Sequence, residues 1–195
     1  MAEARLLEEV IGALEDAQTA WQRIARIVKD LAAFERSYPG RTWVRLIEIV
    51  SHAMRWLPAT VAQVSTVEVE DRGAPEVVAS AGQIEPVAVN LVTYAATATP
   101  EGKRGVIVIR IGSNESGSAR VGVIDHGVGI PPAILDRVFE PVFTTRSVGD
   151  GGGVGFGLAM NHAIVLAHGG TLTVESEVGR GSTFCMELPA ATAEA

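Results

Sequence analysis

The sequence predicts an α+β protein, a two-layer sandwich with helices on one face of a sheet of antiparallel pairs, preceded by a long N-terminal helix. Strand alternation at 105–114 and 118–127, and again in a last hairpin at 171–189, predicts the sheet. Helical spacing of apolar residues at 82–99 and 155–170 predicts its cover. The runs at 41–190 form one predicted domain, with a frayed tail at 191–195.

Composition limits the possible partners and the compartment. A net charge of −7 without a lysine and arginine cluster argues against nucleic acid and against an anionic membrane as partners of this segment. The single Cys185 excludes an internal disulfide, and the four histidines lack metal-ligand spacing. The N-terminus lacks the basic-then-apolar order of a signal peptide, and no apolar run approaches the ~20 residues of a membrane span. We therefore expect a cytoplasmic protein.

Residues 1–38 form a predicted helical arm. Apolar residues recur at two heptad positions, Leu7, Leu14, Trp21 and Val28 on one and Val10, Ala17, Ile24 and Leu31 on the other. The helix is expected to run from about residue 2 to residue 36 and to end before Pro39 and Gly40. This four-heptad seam predicts a homodimer, and the alternative is that the same residues dock on the domain.

Four further elements are expected, three between the arm and the helix at 82–99 and one after that helix. Residues 42–58 read as a second amphipathic helix that ends at Pro58. Residues 65–71 and 75–80 read as a strand pair across an Arg-Gly turn. Pro131 and Pro132 are expected to begin a short helix that reaches about Phe139.

Two glycine-rich stretches carry the functional signal. Asp125 ends an apolar strand and precedes Gly127 and Gly129, so its carboxylate is expected at the rim of a cleft, where it can accept a hydrogen bond from an exocyclic amine. The glycines at 151–157 precede a helix, whose unpaired amides and positive dipole end suit a polyphosphate. Each stretch alone also fits a turn aspartate or a linker, but together they predict a purine triphosphate site.

The motifs also resemble those of the catalytic and ATP-binding domain of sensor histidine kinases. DHGVGIP (125–131) resembles the first glycine box, FEPVFTT (139–145) the phenylalanine box, GGGVGFGLAM (151–160) the second glycine box and GRGSTFCMELP (179–189) the closing hairpin. The resemblance implies a Bergerat-type ATP-binding fold with a mobile lid at about 146–153. It also implies ATP and Mg²⁺ as cofactors.

The resemblance implies a set of site residues. Asp125 would bind the adenine amine, Phe139 and Phe143 would anchor the lid, and Arg146 would meet a phosphate unless it is merely solvated. The complete set of implied nucleotide contacts is Asn90, Tyr94, Asp125, Gly127, Gly129, Ile130, Phe143, Thr144, Thr145, Arg146, Gly153, Gly155, Phe156, Gly157, Leu158 and Thr183.

The sequence departs from the family at one box, which normally carries two asparagines four residues apart on one helix face. Asn90 takes the first position and is the implied metal ligand and catalytic residue, but Tyr94 replaces the second asparagine and Thr97 a lysine of some relatives. A neutral phenol is a poor magnesium ligand. Two readings follow: a kinase in which Asn90 and water hold the metal, or a noncatalytic nucleotide-binding or scaffolding module.

The resemblance also implies a phosphate-accepting histidine, which we expect outside this sequence. The arm resembles the second helix of the dimerisation and phosphotransfer hairpin, and none of the four histidines suits the accepting role. The expected function is transfer of the ATP γ-phosphoryl group to a histidine of the parent or a partner kinase, for relay to a response regulator. Both a fragment of a longer kinase and a short separate protein fit. Simple ATP hydrolysis is disfavoured because Asn90 stands where hydrolytic relatives have a glutamate base.

Overall fold

The computed structural model describes most of the predicted domain and a few residues of the arm: 10–14, 17–18, 20–21, 40–141, 143 and 157–192. The described residues before Gly40 are helical. Most of the predicted helix at 2–36 and all of the predicted lid at 146–153 lie outside the described residues.

Seven strands and five helices make up the described domain. The strands are β1 (Thr42–Val44), β2 (Ser65–Asp71), β3 (Val77–Ala79), β4 (Gly105–Ser113), β5 (Ala119–Asp125), β6 (Thr171–Glu177) and β7 (Gly181–Leu188). The helices are α1 (Leu46–Ala53), α2 (Ala59–Val64), α3 (Ala81–Thr97), α4 (Pro132–Leu135) and α5 (Gly157–Ala167). A single 3₁₀ turn, Met54–Trp56, follows α1.

The main sheet has five strands in the order β2-β4-β5-β7-β6. The β2–β4 pair is parallel and the other three pairs are antiparallel, so the sheet is mixed and the expectation of antiparallel pairs alone is wrong. The predicted hairpins β4–β5 and β6–β7 and the helices α3 and α5 are confirmed. The helix α5 ends at Ala167, and Gly169 follows it with the positive φ of 73° expected of a glycine after a helix C-terminus.

Two predictions for residues 42–80 are wrong. The segment Thr42–Val44 is a strand that pairs antiparallel with β3, and the helix begins only at Leu46. The strands β2 and β3 do not pair with each other, because β2 lies parallel to β4 with Ser65 opposite Gly105. Parallel pairing requires a long crossover, here through β3 and α3, and local sequence carries no signal for it. The six residues of α2 are also too few to show helical periodicity.

Strand alternation places the core on one side of the main sheet. In β4 the side chains of Ile107, Ile109 and Ile111 are buried, and Phe184, Met186 and Leu188 of β7 lie with them. The helices α1 and α3 cover this face with apolar residues that include Leu46, Ile49, Ile84 and Leu91. The opposite face carries ion pairs such as Arg110 with Glu70 at 2.9 Å. The main sheet thus has one apolar face, covered by helices, and one polar face, which explains the two-layer architecture.

Cys185 lies on the polar side of the sheet although it is buried. Its strand neighbours Phe184 and Met186 face the helices, so Cys185 faces away from them, opposite Gly122. The side chain of Arg120 covers the thiol, with Nε 2.8 Å from Sγ. Burial raises the pKa of the Cys185 thiol, against the effect of Arg120. The thiol is therefore shielded by a neighbouring side chain rather than by the helical layer.

His168 ties the end of α5 to the start of α3. Its Nδ1–H donates to the Ile164 carbonyl at 2.8 Å, and its Nε2 accepts from the Ser80 backbone N–H at 3.2 Å. This assignment requires the neutral ring, because a protonated Nε2 has no lone pair for Ser80. Burial and then the nearby cation of Arg41 hold the pKa of His168 below its ordinary value of 6.5, while the bond to Ile164 opposes them.

Acidification is expected to destabilise the fold through His168. The folded state prefers the neutral ring, so this stability is present above the unfolded pKa and is lost as pH falls below about 6.5 towards the lowered folded pKa. Replacing His168→Phe removes both hydrogen bonds, at about 1–3 kcal/mol, and is expected to flatten this part of the pH profile. Urea midpoints at pH 7.5 and pH 5 measure it, with the exposed His126→Gln as control. Equal slopes for wild type and His168→Phe would contradict it.

Candidate functional site

Asp125 ends β5 as a buried carboxylate that is half satisfied. Its Oδ1 accepts from the Gly127 backbone N–H at 2.8 Å. Its Oδ2 is buried and has no hydrogen-bond partner among the described residues. Burial raises the pKa of Asp125, while the backbone N–H groups of Gly127 and Ser182 and the charge of His126 oppose the rise. Oδ2 is therefore available as an acceptor for a ligand.

The loop after Asp125 is fixed from two sides. The C-terminal end of α3 holds it through the Val128 N–H, which donates to the Ala98 carbonyl at 2.9 Å. The β6–β7 hairpin holds it through Ser176, whose hydroxyl accepts from the Ile130 N–H at 2.8 Å and donates to the Gly181 carbonyl at 2.9 Å. The loop therefore sits at the junction of the helical layer and the sheet.

Three glycines permit this close packing. A Cβ at Gly127 would collide with the Ala98 carbonyl, and one at Gly129 with the Glu177 carbonyl. Gly181, in the opposing hairpin, would collide with the Asp125 carbonyl and the His126 backbone. Gly129 and Gly181 also have positive φ values of 71° and 107°. The predicted first glycine box is thus held by backbone contacts that a larger residue would break.

The helix α3 brings Asn90 and Tyr94 to the same region. Asn90 is exposed, and its Nδ2 donates to Oδ1 of Asn161 on α5 at 3.1 Å. The half-buried ring of Tyr94 packs edge-on against Phe184, with ring centroids 5.2 Å apart. The Tyr94 carbonyl accepts from the Thr97 hydroxyl at 2.6 Å. The aromatic ring is therefore fixed by the core at the position where the family pattern has its second amide.

The strand register places Ser182, and not Thr183, on the same face of the sheet as Asp125. Thr183 pairs with Ile124, and both face away from the helices. Both residues line a cavity of about 340 Å³ that Asp125 and Ser182 line as well. Ser182 is buried on the inner face, with its hydroxyl 2.9 Å from that of Ser176. The difference of one residue changes the face because strand side chains alternate.

The predicted lid contacts are only partly described. The ring of Phe143 lies under the Arg137 guanidinium, 4.5 Å from its centroid, and Phe139 stacks on His162 with centroids 5.2 Å apart. Gly157 begins α5, and Leu158 is half-buried against the core. The other predicted lid and phosphate contacts lie outside the described residues: Thr144, Thr145, Arg146, Gly153, Gly155 and Phe156.

The described residues fit an adenine better than they fit a metal ion. A buried carboxylate oxygen without a partner matches the amine of an adenine ring, which is a donor. By contrast, no group of three histidine, cysteine or acidic side chains within the described ranges could hold a metal. A magnesium ion would thus depend on the Asn90 amide oxygen, phosphate oxygens and water, the kind of set that Mg²⁺ uses beside nucleotides.

Three polar residues of this region were not predicted from the sequence. Ser176 and Ser182 link the hairpin to the glycine box, and Asn161 contacts Asn90. Strand alternation around Phe184 could have placed Ser182 on the inner face. Asn161 had no signal beyond being a polar residue in an apolar helix, because its partner lies 71 residues away.

The mixed sheet, the helical layer and the acceptor carboxylate at their junction define an ATP-binding domain of the kinase and ATPase type. Residues 79–192, more than half of the chain, match the family described as histidine kinase-, DNA gyrase B-, and HSP90-like ATPase. The chain belongs to this family, and within it carries the ATP-binding catalytic domain of the sensor histidine kinases of two-component systems.

Curated relatives support the histidine kinase branch. Sensor kinase CckA of Brucella abortus (strain 2308) is 36% identical over 183 residues, which cover 86% of this chain and 19% of CckA. Sensor histidine kinase ZraS of Escherichia coli (strain K12) is 41% identical over 116 residues, which cover 59% of this chain and 23% of ZraS. The chain therefore spans less than a quarter of either relative.

Solved structures agree on the fold. The nucleotide-free catalytic domain of histidine kinase ThkA matches with a TM-score of 0.65 and 27% identity, over 77% of this chain and 96% of that domain. Full-length ShkA matches with a TM-score of 0.72 over 96% of this chain and 40% of ShkA, at 22% identity. Among the helices of the described residues, none has the length and apolarity to cross a membrane.

Proposed function

We propose that this chain is the kinase region of a two-component system and transfers the γ-phosphoryl group of ATP to a histidine on another segment or protein. The buried carboxylate of Asp125 carries this proposal, because its free oxygen is an acceptor placed for the adenine amine. The glycine loop after Asp125, which is held by backbone contacts on two sides, would form a rigid wall of the adenine site. ATP supplies the phosphoryl group, and Mg²⁺, held in part by Asn90, would supply charge neutralisation at the phosphates.

The environments of the four histidines support an acceptor outside the chain. His168 is buried with both ring nitrogens engaged, and His162 stacks on Phe139. His52 pairs with Glu85 at 2.9 Å on the outside of α1 and α3, and His126 follows the adenine-binding aspartate. Three of these rings thus have partners of their own, which supports an acceptor histidine on another segment or protein.

The proposed partners follow from this reaction. A phosphohistidine made by such a domain would be relayed to the aspartate of a response regulator. The arm is proposed to dimerise, since Val10, Leu14 and Trp21 of its heptad seam are 49%, 63% and 69% exposed. Sedimentation of the full chain tests this, and a monomer at high micromolar concentration would refute it.

Radiolabelled ATP with Mg²⁺ tests the kinase proposal directly. The chain is mixed with a histidine-bearing hairpin of a related sensor kinase, and label on histidine is expected to be acid-labile and base-stable. An Asp125→Ala chain is the matched control and should transfer nothing. ATP binding without any labelled histidine would refute the kinase proposal and favour the second candidate.

The second candidate is a noncatalytic nucleotide-binding or scaffolding module. The observation that favours it is the Tyr94 ring, which the Phe184 contact fixes where the family pattern has a magnesium-binding amide. Both candidates share the adenine site and differ only in whether the phosphates are held productively. Phosphate release by the isolated chain would instead indicate ATP hydrolysis, which Asn90 disfavours because an amide is no base.

A further inference from the structure

A buried asparagine on α5 contacts the exposed Asn90 of α3. Asn161 is 1% exposed, and its Oδ1 accepts from the Asn90 Nδ2 at 3.1 Å. The Nδ2 of Asn161 is buried and has no hydrogen-bond partner in the part of the chain that the structure describes. The nearby residues Ile164 and Val165 on the same helix are buried and apolar. An amide therefore occupies a position that an aliphatic residue of the same size would fill.

This amide is unfavourable for stability on its own. A buried donor without a partner loses its hydration and gains no hydrogen bond in return. Leucine has nearly the shape of asparagine and no polar atoms, so it would suit this apolar helix better. A locally unfavourable residue of this kind is expected where it serves a site.

The contact fixes the orientation of the Asn90 side chain. An exposed asparagine samples several rotamers, and its broad terminal torsion lets the oxygen and nitrogen exchange places. With Nδ2 tied to Asn161, the carbonyl oxygen of Asn90 lies on the other branch of the planar amide, away from α5. That oxygen is the atom a hard cation binds.

We propose that Asn161 is a positioning residue that holds the Asn90 carboxamide with its carbonyl oxygen available to a magnesium ion on the nucleotide phosphates. The inference rests on the proposed function, because it assumes that a nucleotide is bound at Asp125. The contact with Asn161 would compensate for Tyr94. The helix α3 lacks the second amide of the family pattern, and the amide of Asn161 on α5 instead orders the Asn90 side chain. Outer partners of metal ligands commonly act in this way.

Calorimetry of ADP binding with and without Mg²⁺ tests the inference on the full chain. For Asn161→Leu we expect the same affinity without Mg²⁺, a loss of roughly ten- to a hundredfold in the affinity gained on adding Mg²⁺, and a higher melting temperature. Met160→Leu, a volume-conserving change at the preceding residue, is the control and should keep the full magnesium effect. An unchanged magnesium effect in Asn161→Leu, or an equal loss of both affinities with a lower melting temperature, would overturn the inference.

Amide NMR of the wild-type chain provides a second test that needs no variant. The Asn90 Nδ2 proton that is donated to Asn161 is expected to exchange more slowly than the other Nδ2 proton in the nucleotide-free protein. The Asn90 carbonyl carbon is expected to shift when Mg²⁺ is added to the ADP complex. Equally fast exchange of the two Nδ2 protons would overturn the pairing with Asn161. Failure of the chain to bind ADP at all would refute the proposed function, while slow exchange would still support the pairing.

Discussion

The substitution Asp125→Asn is expected to weaken ADP and ATP binding on the order of a hundredfold and to leave the protein folded. The Gly127 N–H will keep an oxygen as its acceptor, so the new side chain must place its NH₂ group where Oδ2 now lies. That group is a donor and would face the donor amine of adenine. Loss of a charge-assisted bond and this opposition together amount to about 3 kcal/mol.

The same substitution is expected to stabilise the nucleotide-free protein at neutral pH. Burial raises the pKa of Asp125 above its ordinary 3.8, so the folded state prefers the protonated acid. The stability tied to that preference is present at low pH and is lost as pH rises through the folded pKa. An amide does not titrate, so the melting temperature of Asp125→Asn should exceed that of wild type increasingly as pH rises through this window.

Asp71 offers a matched control for Asp125. It also ends a strand and also accepts from the backbone N–H two residues later, at 3.0 Å from Gly73, but it is exposed. The substitution Asp71→Asn should change neither nucleotide affinity nor the pH dependence of the melting temperature. Calorimetry and thermal melts of both variants distinguish a role of Asp125 in nucleotide binding from a role in the turn alone. Equal nucleotide affinities in wild type and Asp125→Asn would refute the adenine site.

Local patterns predicted the antiparallel hairpins and long helices of this fold, and failed where the chain pairs at a distance. The strands β4 and β5 are joined by a short turn, so alternation and turn residues sufficed. The strand β2 instead pairs with β4 beyond a helix, and the Gly73 turn that suggested a hairpin leads away from it. The three residues of β1 resembled the start of the following helix because Trp43 and Val44 fit either period.

The site shows the same division between local and distant information. Asp125 and its glycines form a contiguous motif whose chemistry is readable from the residues alone. The partner of Asn90 is not, because α5 meets α3 only in the folded protein. Thr183 remains a predicted nucleotide contact, and the motif alone does not specify that the neighbouring Ser182 lies on the inner face, because only the strand register decides this. Distant contacts therefore determine how Asn90 and Ser182 are held.

Restoring the family pattern with Tyr94→Asn is expected to raise phosphotransfer at least about tenfold, and to lower the melting temperature. A second amide on the same helix face as Asn90 would add an oxygen ligand where the phenol ring now sits, and each 1.4 kcal/mol of added stabilisation gives about a factor of ten in rate. The edge-on contact with Phe184 would be lost, together with part of the core packing. Initial rates of histidine labelling and thermal melts measure the two effects.

Tyr94→Phe is the matched control, because it retains the ring and its contact with Phe184. It should leave labelling near the wild-type rate. If Tyr94→Phe accelerated labelling as much as Tyr94→Asn, ring bulk and the missing amide would both be excluded as the defect. If neither variant changed the rate, the metal site would not limit transfer.

The double variant Tyr94→Asn, Asn161→Leu tests whether positions 94 and 161 act on the same magnesium ion. If the restored amide takes over the metal, the orientation of Asn90 matters less, so Asn161→Leu should reduce the magnesium effect on ADP affinity less in the Tyr94→Asn chain than in wild type. Residues that serve one ligand are expected to be non-additive in this way. Simple additivity would mean that Asn161 and the residue at position 94 act on the nucleotide separately, and that the ordered Asn90 does not substitute for the missing amide.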